Sequence, residues 1–330
     1  MKLSKNQIDQ LNLELTINIE AADYAEIEKK KLTEYRRKAD FKGFRKGNVP
    51  MSLIQKFYGG DALAQAINEV IGEALQKFID DEKLHILGEP LSSEKQGELE
   101  WKSGNDFTFI FDLALTPDVQ LEVEAEDEIP NYTVTVSAKE KAEMAENLKK
   151  YYENQKEEHS DEEIEKEVSE RLKENYKAEA DWRLSQDIRD FYVQKSGVEL
   201  PEAFLKRWLL HANEGKVTAE QVESEFPAFL KDFKWQLVRG SLMKKFELQI
   251  TADDIQEAAK SYVNYQYAMY GLSNVPEDML SEAVNNILHD QKQIDRLAES
   301  VEDKKVLDKI KSIATLKAKK ISSEKFKELK

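Results

Sequence analysis

An apolar side chain at every fourth position from residue 164 to residue 192 is the feature that most constrains how this chain can fold. The residues are Ile164, Val168, Leu172, Tyr176, Ala180, Leu184, Ile188 and Tyr192. Four residues turn an α-helix by ~400°, so the stripe moves by ~40° around the helix at each step. It therefore winds most of the way around the helix. We expect one long helix that packs against different neighbours along its length.

The N-terminal part of the chain shows a different pattern. Every odd residue from Leu11 to Ile19 is apolar and every even residue between them is polar, which is typical of a half-buried strand. The same alternation from Phe107 to Leu115 predicts a second strand. We expect a further strand near residues 98–102.

Helices are predicted between these strands. The first covers residues 22–39, a short one begins at Pro50 and ends at Gly59–Gly60, and a longer one carries apolar residues from Leu63 to Phe78 on one face. Strands and helices in this order predict a compact α+β domain over residues 1–115.

The remainder of the chain, residues 137–330, has helical patterns throughout. We expect an all-α domain here, with the long helix ending at Gly197. Residues 116–136 are acidic and extended and contain Pro130, so they are predicted to be a linker that lies along another domain. The later helices are predicted to begin at Pro201, to cover residues 218–248, 252–270, 276–299 and 304–317, and to end with a short helix capped by Ser323.

Composition excludes several classes of protein. The chain has 330 residues, a net charge of -16 and no cysteine, so disulfides and thiolate nucleophiles are excluded. The histidines have no partners at metal-ligand spacing, and no Walker, G-x-S-x-G or dinucleotide-binding motif occurs. We expect no cofactor, no metal and no enzyme activity. The absence of a long apolar run or a signal peptide favours a cytoplasmic protein without membrane contact.

A basic segment stands out from this acidic background. Between Glu28 and Lys56 there are 10 cations and 3 anions. Two glycines permit a tight protruding turn, and an aromatic residue beside an arginine can bind an apolar spot and a phosphate together. Such a segment orients an acidic protein toward a polyanion. The alternative is that Phe44 packs inward and the cations form an ordinary surface.

The segment "GFRKGNVP" resembles the ribosome-binding signature G-F-R-x-G-x-x-P of bacterial trigger factors. Later segments are also similar to that family: "SGVELPEAFLKRWL" resembles its helix–proline–helix junction, and "LQITADDIQEAAKSYVNYQYAMYG" its arm region. The C-terminal "EDKKVLDKIKSIATLKAKKISSEKF" resembles its last helix and tail. The resemblance implies an extended multi-helix C-terminal domain with arms after the α+β domain. The ribosome-binding residues that it implies are Gly43, Phe44, Arg45, Lys46, Gly47, Asn48 and Pro50.

The resemblance also implies a function. A trigger factor is an ATP-independent chaperone that docks on the large ribosomal subunit, at the exit-tunnel protein and adjoining rRNA, and shields nascent polypeptides. It allows a homodimer away from the ribosome. Side chains on two predicted arm helices are candidates for holding unfolded chains, although each of them could instead pack between the helices. They are Tyr262, Tyr265, Tyr267, Met269 and Tyr270 on one arm, and Met279, Val284, Ile287 and Leu288 on the next.

One departure from the family pattern is large. An FKBP-type prolyl-isomerase domain usually follows the linker, but here the predicted helix over residues 139–155 passes almost directly into the helix that begins near Asp161. The domain is thus absent near residues 156–160, through natural loss or engineered deletion, and isomerase activity is not expected. Two other functions remain open: an rRNA-binding or ribosome-assembly factor without client-holding activity, and a chaperone unconnected to ribosomes.

Overall fold

The computed structural model describes residues 1–155, 158–272 and 275–329. The chain forms two compact units. The first contains residues 1–118 and 199–230, and the second contains residues 119–198 and 231–330. In chain order the elements are β1 (Lys2–Gln7), β2 (Asn12–Ile19), α1 (Ala21–Lys38), α2 (Met51–Asp81), β3 (Leu91–Ser92), β4 (Phe107–Ala114), β5 (Glu128–Thr135), α3 (Ala138–Gln155), α4 (Asp161–Ser196), α5 (Glu202–Ala212), α6 (Ala219–Lys245), α7 (Ala252–Met269), α8 (Glu277–Leu288), α9 (Gln291–Ile313), β6 (Thr315–Ser322) and α10 (Ser323–Lys327).

The first unit is built on an antiparallel sheet with strand order β1-β2-β4-β3. The alternation seen in the sequence becomes an apolar ladder on one face, where Leu15 lies opposite Phe111 and Ile17 opposite Phe109. Helices α1 and α2 cover this face and complete the core of the unit. The predicted α+β fold of the N-terminal part is therefore confirmed.

Two local predictions in this unit are wrong. Residues 98–102 form no strand, because the side chain of Gln96 satisfies the edge of β4: its amide oxygen accepts from the Ile110 N–H (2.8 Å) and its amide nitrogen donates to the Thr108 carbonyl (3.1 Å). The predicted break at Gly59–Gly60 does not occur, since α2 runs unbroken from Met51 to Asp81. Each glycine costs about 1 kcal/mol in a helix, and the continuous buried stripe from Ile54 to Ala74 offsets this.

Residues 199–230 also pack in the first unit, whereas the sequence patterns assigned them to the helical domain. The Arg207 guanidinium of α5 donates to the Asp112 carboxylate of β4 (2.7 Å) and to the Ser92 carbonyl (2.8 Å). Trp208 lies so close to Gly88 that a Cβ at position 88 would come within 2.6 Å of the indole nitrogen. Gly88 also has a φ of 69°, which side chains disfavour. Both the close contact with Trp208 and the backbone conformation therefore require glycine at this position.

The second unit is mainly helical, and its longest helix, α4, confirms the prediction drawn from the apolar stripe. Ile164 and Val168 pack against α3. Tyr176 and Ala180 pack in a second cluster around Phe326 of α10. The last three stripe residues pack in a third cluster, with side chains of α6 and α9. One helix thus organises three separate small cores.

The prediction of helix to the C-terminal end is wrong at residues 315–322, and residues 128–135 form a strand, although the segment 116–136 was predicted to be a linker. These two segments, β6 and β5, form a parallel pair in which Ile129 lies opposite Leu316 and Val134 opposite Ile321. The predicted helix over 304–317 therefore ends at Ile313. The cap of α10 is Ser322 and not Ser323.

The acidic segment before β5 is fixed to α4 by a polar cluster. The buried Asp127 carboxylate accepts hydrogen bonds from the Tyr192 hydroxyl (2.9 Å), the Lys195 ammonium (2.6 Å) and the Glu124 N–H (2.9 Å). Burial by itself would raise the pKa of Asp127, but these donors together hold the pKa below its ordinary value. The segment is therefore part of the second unit.

A second polar cluster links α3, α4 and α10 and makes stability depend on pH. The Lys327 ammonium, then Ser323 and Tyr176, donate to Glu140 and lower its pKa from 4.5 to about 2. A carboxyl group whose pKa is lowered by folding stabilises the folded state at pH values above its ordinary pKa. This stabilisation is lost as the pH falls toward the pKa of the folded state.

We therefore expect Glu140→Gln to lower the melting temperature by a few degrees at pH 6. Because Lys327 is largely exposed, solvent screening keeps the effect small. The difference from the original chain should shrink as pH falls from 4.5 toward 2, as followed by circular dichroism. A difference that is constant with pH would contradict the assignment.

Candidate functional site: an exposed basic loop

The basic segment forms a tight loop between α1 and α2. Two turns build it: the Phe44 N–H donates to the Phe41 carbonyl (3.0 Å), and the Asn48 N–H donates to the Arg45 carbonyl (2.9 Å). Gly43 and Gly47 adopt φ values of 95° and 84°, which side chains disfavour. The two glycines of the motif are thus required by the backbone of the loop.

Both ends of the loop are fixed to the core of the first unit. Val49 is fully buried, and Phe41 packs in the same cluster with Ile54 of α2. The Arg36 guanidinium reaches from α1 and donates to the Val49 carbonyl at 2.8 Å. The loop is therefore a short projection that is held at both ends by a packed base.

The tip of the loop points away from that base. Phe44 is 42% exposed. Arg45, Lys46 and Asn48 are also exposed. Within the described ranges, no carboxylate forms an ion pair with Arg45 or Lys46. The inward-packing alternative for Phe44 is therefore wrong, and both cations are free to meet an external anion.

The helices that flank the loop add to its positive potential. Helix α1 ends in the basic residues Arg36, Arg37 and Lys38. Helix α2 begins after Pro50, has no side-chain hydrogen bond at its N-cap and no acidic residue in its first turn. The positive end of its dipole is therefore not neutralised within the helix. This arrangement favours an anionic partner such as a nucleic-acid backbone.

The second set of predicted residues lies on α7 and α8, which pack on each other and on α9. The structure divides this set. Val284 is buried at the centre of the contact, and Tyr267, Ile287 and Leu288 pack around it. These four were candidates for holding unfolded chains, with packing between the helices as the alternative, and the structure places them in that packing.

The other members of the set are exposed. They are Tyr262, Tyr265, Met269, Tyr270 and Met279. Tyr270 is the most exposed of the five, at 83%. Tyr262 and Tyr267 lie ~140° apart around the helix, so they cannot face the same side. Tyr262 faces solvent, and Tyr267 packs in the cluster around Val284. Tyr262 and Tyr265 also line a cleft of about 550 Å³ between α7 and α9.

Over residues 1–155, 158–272 and 275–329, no group of three or more His, Asp and Glu side chains is arranged to hold a metal ion. Among the same residues, none of the helices combines the length and the apolar composition that a bilayer span requires.

Comparison with known proteins connects both parts of the chain to one family. The family model of the bacterial trigger factor protein matches residues 1–151, and the model of the probable trigger factor C-terminal domain matches residues 180–330. The chain belongs to the trigger factor family. The loop lies in the first matched region and the α7–α8 surface in the second.

Curated trigger factors match over part of their length. That of Azospirillum brasilense is 29% identical over 121 residues, which cover 36% of this chain and 26% of the relative. That of Jannaschia sp. is 30% identical over 119 residues, again covering 36% of this chain and 26% of the relative. That of Delftia acidovorans is 26% identical over 152 residues, which cover 44% of this chain and 35% of the relative. The chain thus aligns with about a quarter to a third of each of these trigger factors.

A solved trigger factor chaperone structure, from work on promiscuous substrate recognition in folding and assembly, shares the fold. Its TM-score is 0.59 at 12% sequence identity, covering 94% of this chain and 99% of that one. Between the two regions matched by the family models lie residues 152–179, whose described part consists mainly of the end of α3 and the first half of α4. Helix α4 thus begins between the two matched regions and continues into the second.

The sequence patterns identified the tip of the loop but missed the residues that support it. Phe41, Val49 and Arg36 hold the loop through packing and a backbone hydrogen bond, and nothing in their spacing distinguishes them from ordinary core or surface residues. The adjacent Phe57 was missed as well. It is an exposed aromatic residue at 59%, which apolar periodicity does not separate from buried ones.

Proposed function

We propose that this chain is an ATP-independent chaperone that docks on the large ribosomal subunit at the nascent-chain exit through the loop from Gly43 to Pro50. The observation that carries the proposal is the exposed Phe44–Arg45–Lys46 tip on a packed base. The two turn hydrogen bonds and the packed base already order the backbone, so binding costs less conformational freedom and more of the contact energy appears as affinity. Phe44 would enter an apolar site on the exit-tunnel protein, and the cations would contact rRNA phosphates.

The charge distribution supports this orientation. The chain has a net charge of -16, whereas the segment from Glu28 to Lys56 is strongly basic. Near rRNA the basic loop is attracted and the acidic remainder is repelled. The loop would therefore approach the subunit first.

Client holding is assigned to the exposed side chains of α7 and α8. Tyr265, Met269, Tyr270 and Met279 present mobile or amphipathic groups to solvent. Such side chains suit weak contacts with many sequences, as a chaperone for nascent polypeptides requires. Release would follow folding of the client, with no nucleotide cycle and no prolyl isomerisation. We place the activity in the cytoplasm, with a homodimer away from the ribosome.

Pelleting with purified large ribosomal subunits tests the docking step. We expect the chain to pellet with subunits at about 50 mM salt and to be released as salt rises, because each phosphate contact displaces condensed counterions. A chain that stays in the supernatant at every salt concentration would refute docking.

Client holding is tested on the full chain by replacing Tyr265, Met269 and Tyr270 with serine. We expect this variant to suppress aggregation of an unfolded client several-fold less well, because the replaced side chains supply apolar contact area. Light scattering of a chemically denatured client on dilution provides the measurement.

The matched control replaces the exposed residues Leu3, Tyr151 and Trp182 with serine and should behave like the original chain. Equal loss in both variants would show that the effect is general and not located on α7. An original chain without any effect on aggregation would favour the rRNA-binding factor without client-holding activity.

A further inference from the structure

Phe57 is the exposed end of an aromatic cluster that supports the loop. Its ring lies 5.2 Å from that of Phe41 between centroids. Phe41 in turn contacts Tyr58 at 6.4 Å, and Tyr58 stacks on Tyr35 at 4.8 Å. Phe57, at the outer end of the cluster, is 59% exposed, more than Phe44 at the loop tip. The cluster thus presents one open aromatic face beside the basic loop.

This open face is continuous with the proposed docking surface. Phe41 contacts Phe57 through its ring, and its carbonyl accepts the hydrogen bond that closes the turn carrying Phe44. A surface that meets the tip of the loop therefore lies next to Phe57 as well. Scattered single apolar residues on a surface are common, but this one adjoins a surface already assigned to a partner.

The charges nearby indicate the chemistry of that partner. Lys56 precedes Phe57 on α2 and is exposed, and Lys42 follows Phe41 in the loop and is also exposed. Asp61 follows Phe57 by four residues and so lies on the same face of α2, on the side away from the loop. Single-stranded nucleic acid binds to surfaces that combine exposed aromatic rings with cations, with a base on a ring and phosphates on the cations.

We propose that Phe57 stacks on an unpaired rRNA base of the large subunit when the loop docks. The inference rests on the proposed docking function and assigns an additional contact to it. It also divides the surface: the loop tip contacts the exit-tunnel protein and phosphates, and Phe57 contacts a base.

The test uses the full chain and three variants, Phe57→Tyr, Phe57→Leu and Phe57→Ala. A base stack needs an aromatic ring, so tyrosine should bind large subunits within about twofold of the original chain. Leucine and alanine should both bind about tenfold more weakly. An apolar protein pocket would instead accept leucine nearly as well as phenylalanine. Leucine and alanine lose the ring contact with Phe41, but Phe57 is largely exposed, so the melting temperatures of these variants should fall by no more than a few degrees.

A photoreactive phenylalanine analogue at position 57 provides an independent readout. With docked subunits, the crosslinked product should be sensitive to ribonuclease. A product that resists ribonuclease and yields to protease, or leucine binding equal to phenylalanine, would overturn the base contact. Alanine binding equal to phenylalanine would remove Phe57 from the docking surface while leaving docking intact. If the original chain fails to pellet with subunits, docking and the base contact are both refuted.

Discussion

Replacement of Phe44, Arg45 and Lys46 by alanine should weaken binding to large ribosomal subunits by about 100-fold or more. The three side chains form the exposed tip of the loop, and an anchoring aromatic or arginine at an interface centre typically contributes about 2 kcal/mol or more. The change also removes two positive charges, so the salt dependence of the remaining binding should become shallower. Equilibrium pelleting at several salt concentrations measures both effects.

The control variant must remove two positive charges and one exposed aromatic ring at a site away from the loop. Trp182, Lys319 and Lys320 are all exposed and belong to the second unit. Their replacement by alanine lowers the net charge equally, so it separates the loop contact from long-range attraction. Undiminished pelleting of the loop variant, or equal losses in both variants, would refute docking through the loop.

The second large effect is on stability. Phe326→Ala should lower the free energy of unfolding by about 3–5 kcal/mol, the usual cost of removing a buried phenylalanine. Phe326 is 1% exposed and contacts the rings of Tyr132 and Tyr176 at 6.0 and 6.5 Å. It therefore joins α10 to β5 and α4. Urea unfolding followed by circular dichroism measures the loss.

Two comparisons isolate the cause of this loss. Phe326→Leu keeps most of the apolar volume and should cost about 1–1.5 kcal/mol. Tyr270→Ala removes an exposed ring and should change stability by less than about 0.5 kcal/mol. If Phe326→Ala costs no more than Tyr270→Ala, the cluster around α10 does not stabilise the second unit.

Local periodicity was sufficient to predict much of this fold. The alternation in β2 and β4 produced a strand pair whose apolar residues face each other in register. The stripe along α4 predicted several neighbours, and Ile164, Tyr176 and Ile188 lie in three different clusters. In each of these elements the apolar residues that form the pattern are also the ones that become buried. The pattern within a single segment was therefore enough to predict it.

The failed predictions concern interactions between distant residues. β6 reads as part of a helix because its sequence has many lysines, and β5 supplies the pairing that makes it a strand. Helix α2 passes through Gly59–Gly60 because its buried stripe continues beyond them. The exposed tip of the loop could be predicted from the motif, whereas Phe41 and Val49 are identified as its anchors through their packing.

The pairing of β5 with β6 has a consequence for biosynthesis. Thr315 at the start of β6 donates to the Ala125 carbonyl across 190 residues of chain. At about 5–20 residues per second, a ribosome makes these two segments about 10–40 s apart. During that interval β5 is unpaired, because β6 has not yet been synthesised. The glutamates at positions 122, 124, 126 and 128 keep the unpaired segment charged, which opposes aggregation. The acidic residues before β5 thus protect the incomplete chain until β6 has been synthesised.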